Sequence, residues 1–197
     1  KWVAAEGVVY PHFSEKEHIA KAIPENYSQY YISCDYGTVN PASFGLWGLN
    51  NGVWYRLREF YHDSKAKGFQ MTDKEYYEEL VQLADNRHID AVIVDPSAAS
   101  FMECIRREGR FRVLPAKNNV SDGIRQVSEK LKTKEILIGS SCEDSIREFS
   151  MYRWDSNSVK DTPRKEYDHA MDDIRYFVAT ALTTTDSSFF ALSVERN

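Results

Sequence analysis

The sequence predicts an α/β domain: a mixed central sheet with helices on both faces. Three observations carry this. In the second half of the chain, short Val- and Ile-rich runs alternate with segments of helical period. Between residues 30 and 60, three β-rich runs follow one another, with a hairpin signal between the last two. The resulting order, β-β-β-α-β-α-β-α…α, joins an antiparallel meander to parallel strands through helices.

Residues 1–29 are mixed in character, with Pro11 and Pro24 as breakers, and read as an extended lead-in. Residues 30–35 are mostly apolar and end in Asp35, with Gly37, Asn40 and Pro41 beyond, so a strand runs into a turn. Strands at 43–49 and 53–60 flank Asn50-Asn51-Gly52, whose Asn-Gly favours a tight hairpin. Residues 72–86 have apolar or aromatic side chains at helical spacing, opened by Thr72 and Glu75 as a capping box. Then come a strand at 89–94 closed by Asp95-Pro96-Ser97, a helix at 101–107 and a strand at 111–114. A helix at 122–132 precedes a short strand at 136–138, and 145–149 is helical. Residues 151–164 are polar with β-prone pieces and read as a hairpin or loop. Residues 168–182 form the last helix, with Ala170, Ile174, Phe177, Val178 and Ala181 on one face.

The chain has 197 residues, 42% hydrophobic and 13% aromatic, enough for one buried core, which excludes disorder throughout. It has no apolar run of membrane-spanning length and no signal-peptide pattern, so no membrane partner is expected. Cys34, Cys104 and Cys142 are odd in number and far apart, with no CxxC. A disulfide framework or structural zinc is not expected, and a reducing cytoplasm fits. The start at Lys1-Trp2 has no initiator Met, and the chain reads as a piece of a longer protein.

The chemistry is carried by acids. Asp35 and Asp95 each end a strand, and ligand sites of open α/β sheets lie beyond the carboxyl ends of parallel strands. A third group, Asp168-His169-Ala170-Met171-Asp172-Asp173, opens the last helix. Asp168 and Asp172 are four apart and share a face, and His169 lies three before Asp172. Hard carboxylate oxygens suit Mg²⁺ or Mn²⁺. Two such ions about 4 Å apart can clamp a phosphodiester, one activating water and the other stabilising the leaving oxygen. Singly, each acid has a plainer reading as a turn residue or a helix-dipole partner; the combination points to a metal-dependent site. Asp90 begins its strand, at the wrong end for that site. His12 and His18 lack matching partners and read as surface residues.

Net charge is −5, and phosphate contact needs Lys and Arg. The charge is uneven: residues 106–134 hold nine basic residues against three acids. That strip, including Lys117, Lys130, Lys132 and Lys134, is a candidate DNA contact beside the acidic pocket. A second group, Arg153, Lys160, Arg164 and Lys165, lies in the hairpin segment before the His/Asp motif. No GxxxxGK[ST] occurs, so ATP hydrolysis by a P-loop is not expected in this chain, and no base-reading motif is visible.

Three segments together carry a resemblance: Tyr31-Ile32-Ser33-Cys34-Asp35-Tyr36-Gly37, Val92-Ile93-Val94-Asp95-Pro96-Ser97-Ala98, and Asp168-His169-Ala170-Met171-Asp172-Asp173-Ile174-Arg175-Tyr176. They are similar to the three acidic motifs of the nuclease domain in large terminase subunits of tailed double-stranded DNA bacteriophages. The lead-in Ala5-Glu6-Gly7-Val8-Val9-Tyr10 resembles the segment joining that family's motor to its nuclease. The resemblance implies an RNase H-like fold and metal-dependent endonucleolytic cutting of concatemeric viral DNA, with two Mg²⁺ or Mn²⁺ ions when DNA is bound. Carried over by residue, Asp35, Asp95 and Asp172 are the expected metal ligands, with His169 as an auxiliary ligand or proton-handling group. Asp168 and Asp173 are candidate acids for the second metal. Where the family often has Ala after the motif Asp, this chain has Asp173. The resemblance also places a DNA-guiding hairpin beside the site, and with it Arg153 and Lys165.

The implied organisation is a lead-in at 1–29 from a missing N-terminal ATPase motor, a nuclease domain at 30–185 and a C-terminal tail at 186–197. The implied partners are double-stranded DNA, that ATPase domain, the small terminase subunit and the portal protein, in the host cell cytoplasm. Cutting with little sequence preference is expected. Two other readings stay open: another RNase H-like DNA nuclease of resolvase or recombinase type, and a non-catalytic module docking on DNA or the portal.

Overall fold

The apolar runs and the Asn-Gly turn assemble into one seven-stranded sheet in the computed structural model, which describes residues 7–183. Its strands are β1 (Ile19–Ala20), β2 (Gln29–Asp35), β3 (Ala42–Asn50), β4 (Val53–His62), β5 (Ala91–Val94), β6 (Val113–Pro115) and β7 (Ile136–Gly139). They lie side by side in the order β1-β7-β4-β3-β2-β5-β6. β3 runs antiparallel to both its neighbours, and every other pair is parallel. Six strands therefore point their carboxyl ends the same way. The β3–β4 turn places Asn51 at φ 48° and Gly52 at φ 79°, the two left-handed residues of a tight hairpin that twists with its strands.

The helices are α1 (Glu15–His18), α2 (Ser64–Lys67), α3 (Asp73–Ala84), α4 (Ala99–Glu108), α5 (Val120–Lys132), α6 (Glu143–Met151) and α7 (His169–Phe177). α7 continues into a π-helical turn, Val178–Leu182. The expected Thr72/Glu75 capping box opens α3. Packing against α3 and α4, one sheet face buries Ile32, Phe44, Tyr76, Leu80 and Phe101. The other face, under α5, α6 and α7, buries Trp47, Leu131, Phe149, Ile174 and Phe177. All four β5 residues are buried, which is why that run is continuously apolar rather than alternating. Among the described residues, no helix is long and apolar enough to cross a membrane.

α7 lies antiparallel along β2, and the match of spacings positions the site. Alternate strand residues repeat about every 6.6 Å, and helix residues four apart repeat about every 6 Å. Phe177 meets Tyr31, with ring centroids 6.1 Å apart. Asp173 then meets Ser33, and His169 meets Asp35.

Several expectations need correction. The segment read as a plain lead-in holds α1 and β1, and β1 pairs with β7 at the sheet edge. His18 is buried rather than on the surface; its Nε2 lies 2.7 Å from the Leu131 carbonyl, a partner far along the chain. The short α2 was not foreseen. Ala5-Glu6 and the tail at 186–197 lie outside the described residues.

Close packing on the α7 face is tightest at Gly45. A Cβ there would stand 1.7 Å from Arg56 Nη1. Gly45→Ala is therefore expected to destabilise the chain by about 1–3 kcal/mol through overpacking, read as a lower thermal midpoint with unchanged secondary structure. An unaltered midpoint would mean that Arg56 is free to move.

Candidate active site

Five of the expected site residues converge at the carboxyl end of the sheet. Asp35 ends β2, Asp95 follows β5, and Asp168, His169 and Asp172 stand at the start of α7. All five line one cleft of about 800 Å³, together with Tyr176, Lys165 and the loop 36–41. The α7 N-terminus faces this cleft, adding the positive end of a helix dipole.

His169 Nδ1 is 2.8 Å from Asp35 Oδ2, and its Nε2 is 3.5 Å from Asp168 Oδ1. Burial pushes the Asp35 carboxyl up to about 7; the His169 hydrogen bond opposes this, and the neighbouring Asp172 and Asp168 charges add to it. Asp168 is also raised, by burial and then by Asp172. For His169 burial disfavours the cation, but the hydrogen bond and charge of Asp35 outweigh it and the pKa rises. Asp95 behaves differently. Burial works against its charged form, yet hydrogen bonds from Ser97, Tyr176 and Asn118 hold its pKa below the usual carboxylate value. Asp172 Oδ1 accepts a hydrogen bond from Arg175 Nη2 at 2.8 Å.

Asp173 departs from the expected role. It is fully buried and its carboxylate is enclosed by Arg56, at 2.9 and 2.6 Å, and by the Ser33 and Ser43 hydroxyls. One helical step of about 100° separates it from Asp172, enough to turn it from the cleft into the sheet. Its place makes it a structural anchor rather than a metal ligand. Arg56 is itself held charged: burial opposes its cation, and Asp173 more than compensates.

The basic strip also departs from expectation. In parallel α/β units each helix returns the chain to the amino-terminal end of the sheet. Lys130, Lys132 and Lys134 follow that return along α5, so they sit at the opposite end from the cleft. Lys130 pairs with Glu135 at 3.2 Å and Lys134 with Glu17 at 3.4 Å. Of the strip's named lysines, only Lys117, just after β6, lies at the cleft end, where its Nζ is 3.5 Å from Thr183 Oγ1. The hairpin segment does fold back on itself, with an antiparallel bridge between Trp154 and Pro163. Arg153 is exposed there, bridged through its backbone to Val8. Lys165 reaches the cleft wall, 3.8 Å from Asp168 Oδ2.

Sequence reasoning missed the supports of the site. Buried Glu148, on α6, accepts the N–H groups of Ala170 at 2.7 Å and Met171 at 3.3 Å, and the Tyr61 hydroxyl at 2.7 Å. It caps α7 in place of Asp168, whose side chain makes no capping bond. Burial raises the Glu148 carboxyl to about 7. Ser33, Ser43 and Arg56 were visible only as polar residues in otherwise apolar strands.

The donor chemistry fits a hard divalent cation: carboxylates of Asp35, Asp95 and Asp172 line one cleft, and burial, with the Asp172 and Asp168 charges adding to it, leaves Asp35 raised. Among the described residues, no three His, Cys, Asp or Glu side chains stand close enough to enclose an ion as they are.

No family model matches the chain. A structure of the large terminase of the thermophilic bacteriophage D6E is 46% identical, with a TM-score of 0.87, over 92% of this chain and 46% of that one. The large terminase subunit of Escherichia phage T5 is 25% identical over 130 residues, 63% of this chain and 28% of that protein. This chain thus spans less than half the length of either. The P22 large terminase nuclease domain shares the fold, with a TM-score of 0.69 at 17% identity, covering 87% of this chain and 90% of that one. So does the SPP1 large terminase nuclease domain with bound Mn, at 0.59 and 17%, covering 80% and 92%.

Proposed function

This chain is a homologue of bacteriophage large terminases with the RNase H-like fold of their nuclease domains, and from that premise we propose that it is a metal-dependent endonuclease cutting concatemeric double-stranded DNA during viral genome packaging. The carrying observation is the convergence of Asp35, Asp95, Asp168, His169 and Asp172 in one cleft at the carboxyl end of the sheet. Asp35, Asp95 and Asp172 would hold two Mg²⁺ or Mn²⁺ ions, with Asp168 beside the second. When bound, such ions neutralise phosphodiester oxygens and acidify water.

The chain's own residues then have defined tasks. Arg175 orients Asp172, and Ser97, Asn118 and Tyr176 keep Asp95 ionised at the cleft wall. Asp35 fixes the His169 ring through Nδ1, which leaves Nε2 facing Asp168 as the atom that can take or give a proton. The hairpin at 153–164, with Arg153 and Lys165, guides DNA past the opening. With no base-reading element in the sequence, cutting has little sequence preference. The motor that hydrolyses ATP lies in another part of the full protein; because α1 and β1 already belong to the body of the sheet, the nuclease domain takes in part of residues 1–29 together with 30–185, and 186–197 is a tail. The working partners are that motor, the small terminase subunit and the portal protein, in the host cytoplasm.

The test is cleavage of supercoiled plasmid by the 197-residue chain with Mn²⁺, with Mg²⁺ and with EDTA. Nicking and linearisation with either metal, abolished by EDTA, are expected, leaving ends that a DNA ligase reseals (3′-hydroxyl and 5′-phosphate). A folded chain that cuts with neither metal would sink the reading.

A further inference from the structure

The active-site cleft cannot by itself attract a polyanion. Its walls carry Asp35, Asp95, Asp168 and Asp172 against one lysine, Lys165. The basic strip that composition offered lies mostly at the other end of the sheet. A different surface supplies cations where they are needed.

A second cleft, of about 960 Å³, opens beside the first and shares Asn40, Pro41, Lys165 and His169 with it. His169 is therefore a wall of both. Lys65 and Lys67 of α2, Arg147 of α6 and Lys165 line this second cleft. Two of its three acids are already engaged. The Asp63 carboxylate accepts the N–H groups of Lys65 and Ala66, at 3.0 and 3.2 Å. Asp144 pairs with Arg147 at 2.5 Å, and that guanidinium lies 5.4 Å over the Tyr61 ring. Lys65 and Lys67 are exposed, and among the described residues neither ammonium stands within ion-pair distance of a carboxylate. At the rim, Tyr167 is held at φ 54° and is 43% exposed. An aromatic residue in left-handed backbone costs roughly 1–2 kcal/mol, and such strain collects at ligand-binding sites.

We infer that this second cleft grips the phosphodiester backbone of DNA to one side of the scissile bond, with Lys65 and Lys67 as phosphate contacts and His169 as the ridge between grip and cut. The inference rests on the nuclease reading and adds residues that neither the sequence motifs nor the strip of basic residues pointed to. Exposed ammonium groups act on phosphate as point charges and release counterions on contact, so the signature is salt dependence.

The experiment measures binding of a short fluorescent duplex in EDTA across a salt series, with wild type, Lys65→Gln/Lys67→Gln and, as a charge-matched control, Lys132→Gln/Lys134→Gln. The first variant is expected to bind on the order of tenfold more weakly, with a log–log salt slope shallower by about 1.8, or about 0.9 per lost contact. The control should keep the wild-type slope. With Mn²⁺, Lys65→Gln/Lys67→Gln should cut plasmid with a raised KM and an unchanged kcat. Equal slopes for the two variants, an unchanged slope in the first, or no measurable duplex binding by wild type each overturn the inference. Wild type that cuts while Lys65→Gln/Lys67→Gln keeps its KM removes the second cleft alone. Wild type that binds with the expected slopes but never cuts removes the nuclease reading and leaves the grip standing.

Discussion

Asp35→Asn is expected to lose metal-dependent cutting by on the order of a thousandfold or more, while the metal-free protein melts no lower than wild type. The loss follows from the charge that the cleft is built to hold. Cations bound there contribute several kcal/mol of transition-state charge stabilisation, and each 1.36 kcal/mol is a factor of ten in rate. Asn keeps the shape and an oxygen that can still accept from His169 Nδ1, so the fold has no reason to yield. Stability should move the other way. Asp35 titrates near 7 in the folded chain against 3.8 ordinarily. Between those values the folded state holds a proton that the unfolded state has released. Wild-type stability therefore falls as pH rises through that window, and the full penalty is present above it. Asn carries no such penalty, so at mildly alkaline pH the variant should melt a few degrees higher, whereas near pH 4 the two should coincide. Adding Mn²⁺ should raise the wild-type midpoint, because a ligand that binds only the folded state stabilises it, and should raise the variant's much less. Plasmid nicking and thermal melts with and without Mn²⁺ read all of this. Appreciable cutting by Asp35→Asn would remove Asp35 from the site, and a lower metal-free midpoint would show that its charge is a support rather than a strain.

The acids at the strand ends were legible because their position is a one-dimensional fact: a run of Val and Ile, then Asp. The meander was legible for the same reason, since Asn51-Gly52 specifies a turn that few other residue pairs can make. What composition could not give was direction. A count of basic residues between 106 and 134 says nothing about which end of the sheet they reach, although the crossover rule does, because a helix leaving a strand's carboxyl end must return to the other. Asp172 and Asp173 were inseparable in sequence because one residue changes the side of a helix entirely. The deciding partners, Ser33, Ser43 and Arg56, lie more than a hundred residues away. His18 failed likewise, as its partner is a backbone carbonyl at Leu131 that no side-chain pattern announces. Lys65 and Lys67 matter through a cleft, which is a property of surfaces and not of spacing.

Removing one member of the buried Arg56–Asp173 pair is expected to cost more stability than any cleft substitution. Both side chains are fully buried and the guanidinium meets the carboxylate with two short hydrogen bonds. Their solvation is already lost, so Arg56→Met strands the Asp173 carboxylate under α7 at a cost of about 3–5 kcal/mol, while Asp173→Asn leaves the Arg56 guanidinium only its longer pair with Glu59, at 3.5 Å, and falls toward the lower end of that range. For a chain of this size that corresponds to a thermal midpoint lower by roughly 6–20 °C. Asp173→Asn and Arg56→Met should each show it. The double variant should fall short of the sum of the two, because neither stranded charge remains, and the shortfall measures the coupling. The pair also sets function, because Asp173 is the middle rung of the register that places Phe177 on Tyr31 and His169 on Asp35. At a temperature where Asp173→Asn is still folded, its cutting should therefore fall through kcat, with KM for DNA little changed, since the phosphate grip lies elsewhere. Full activity in a folded Asp173→Asn chain would mean that hydrophobic contacts alone hold α7 in register and that the buried pair serves stability only.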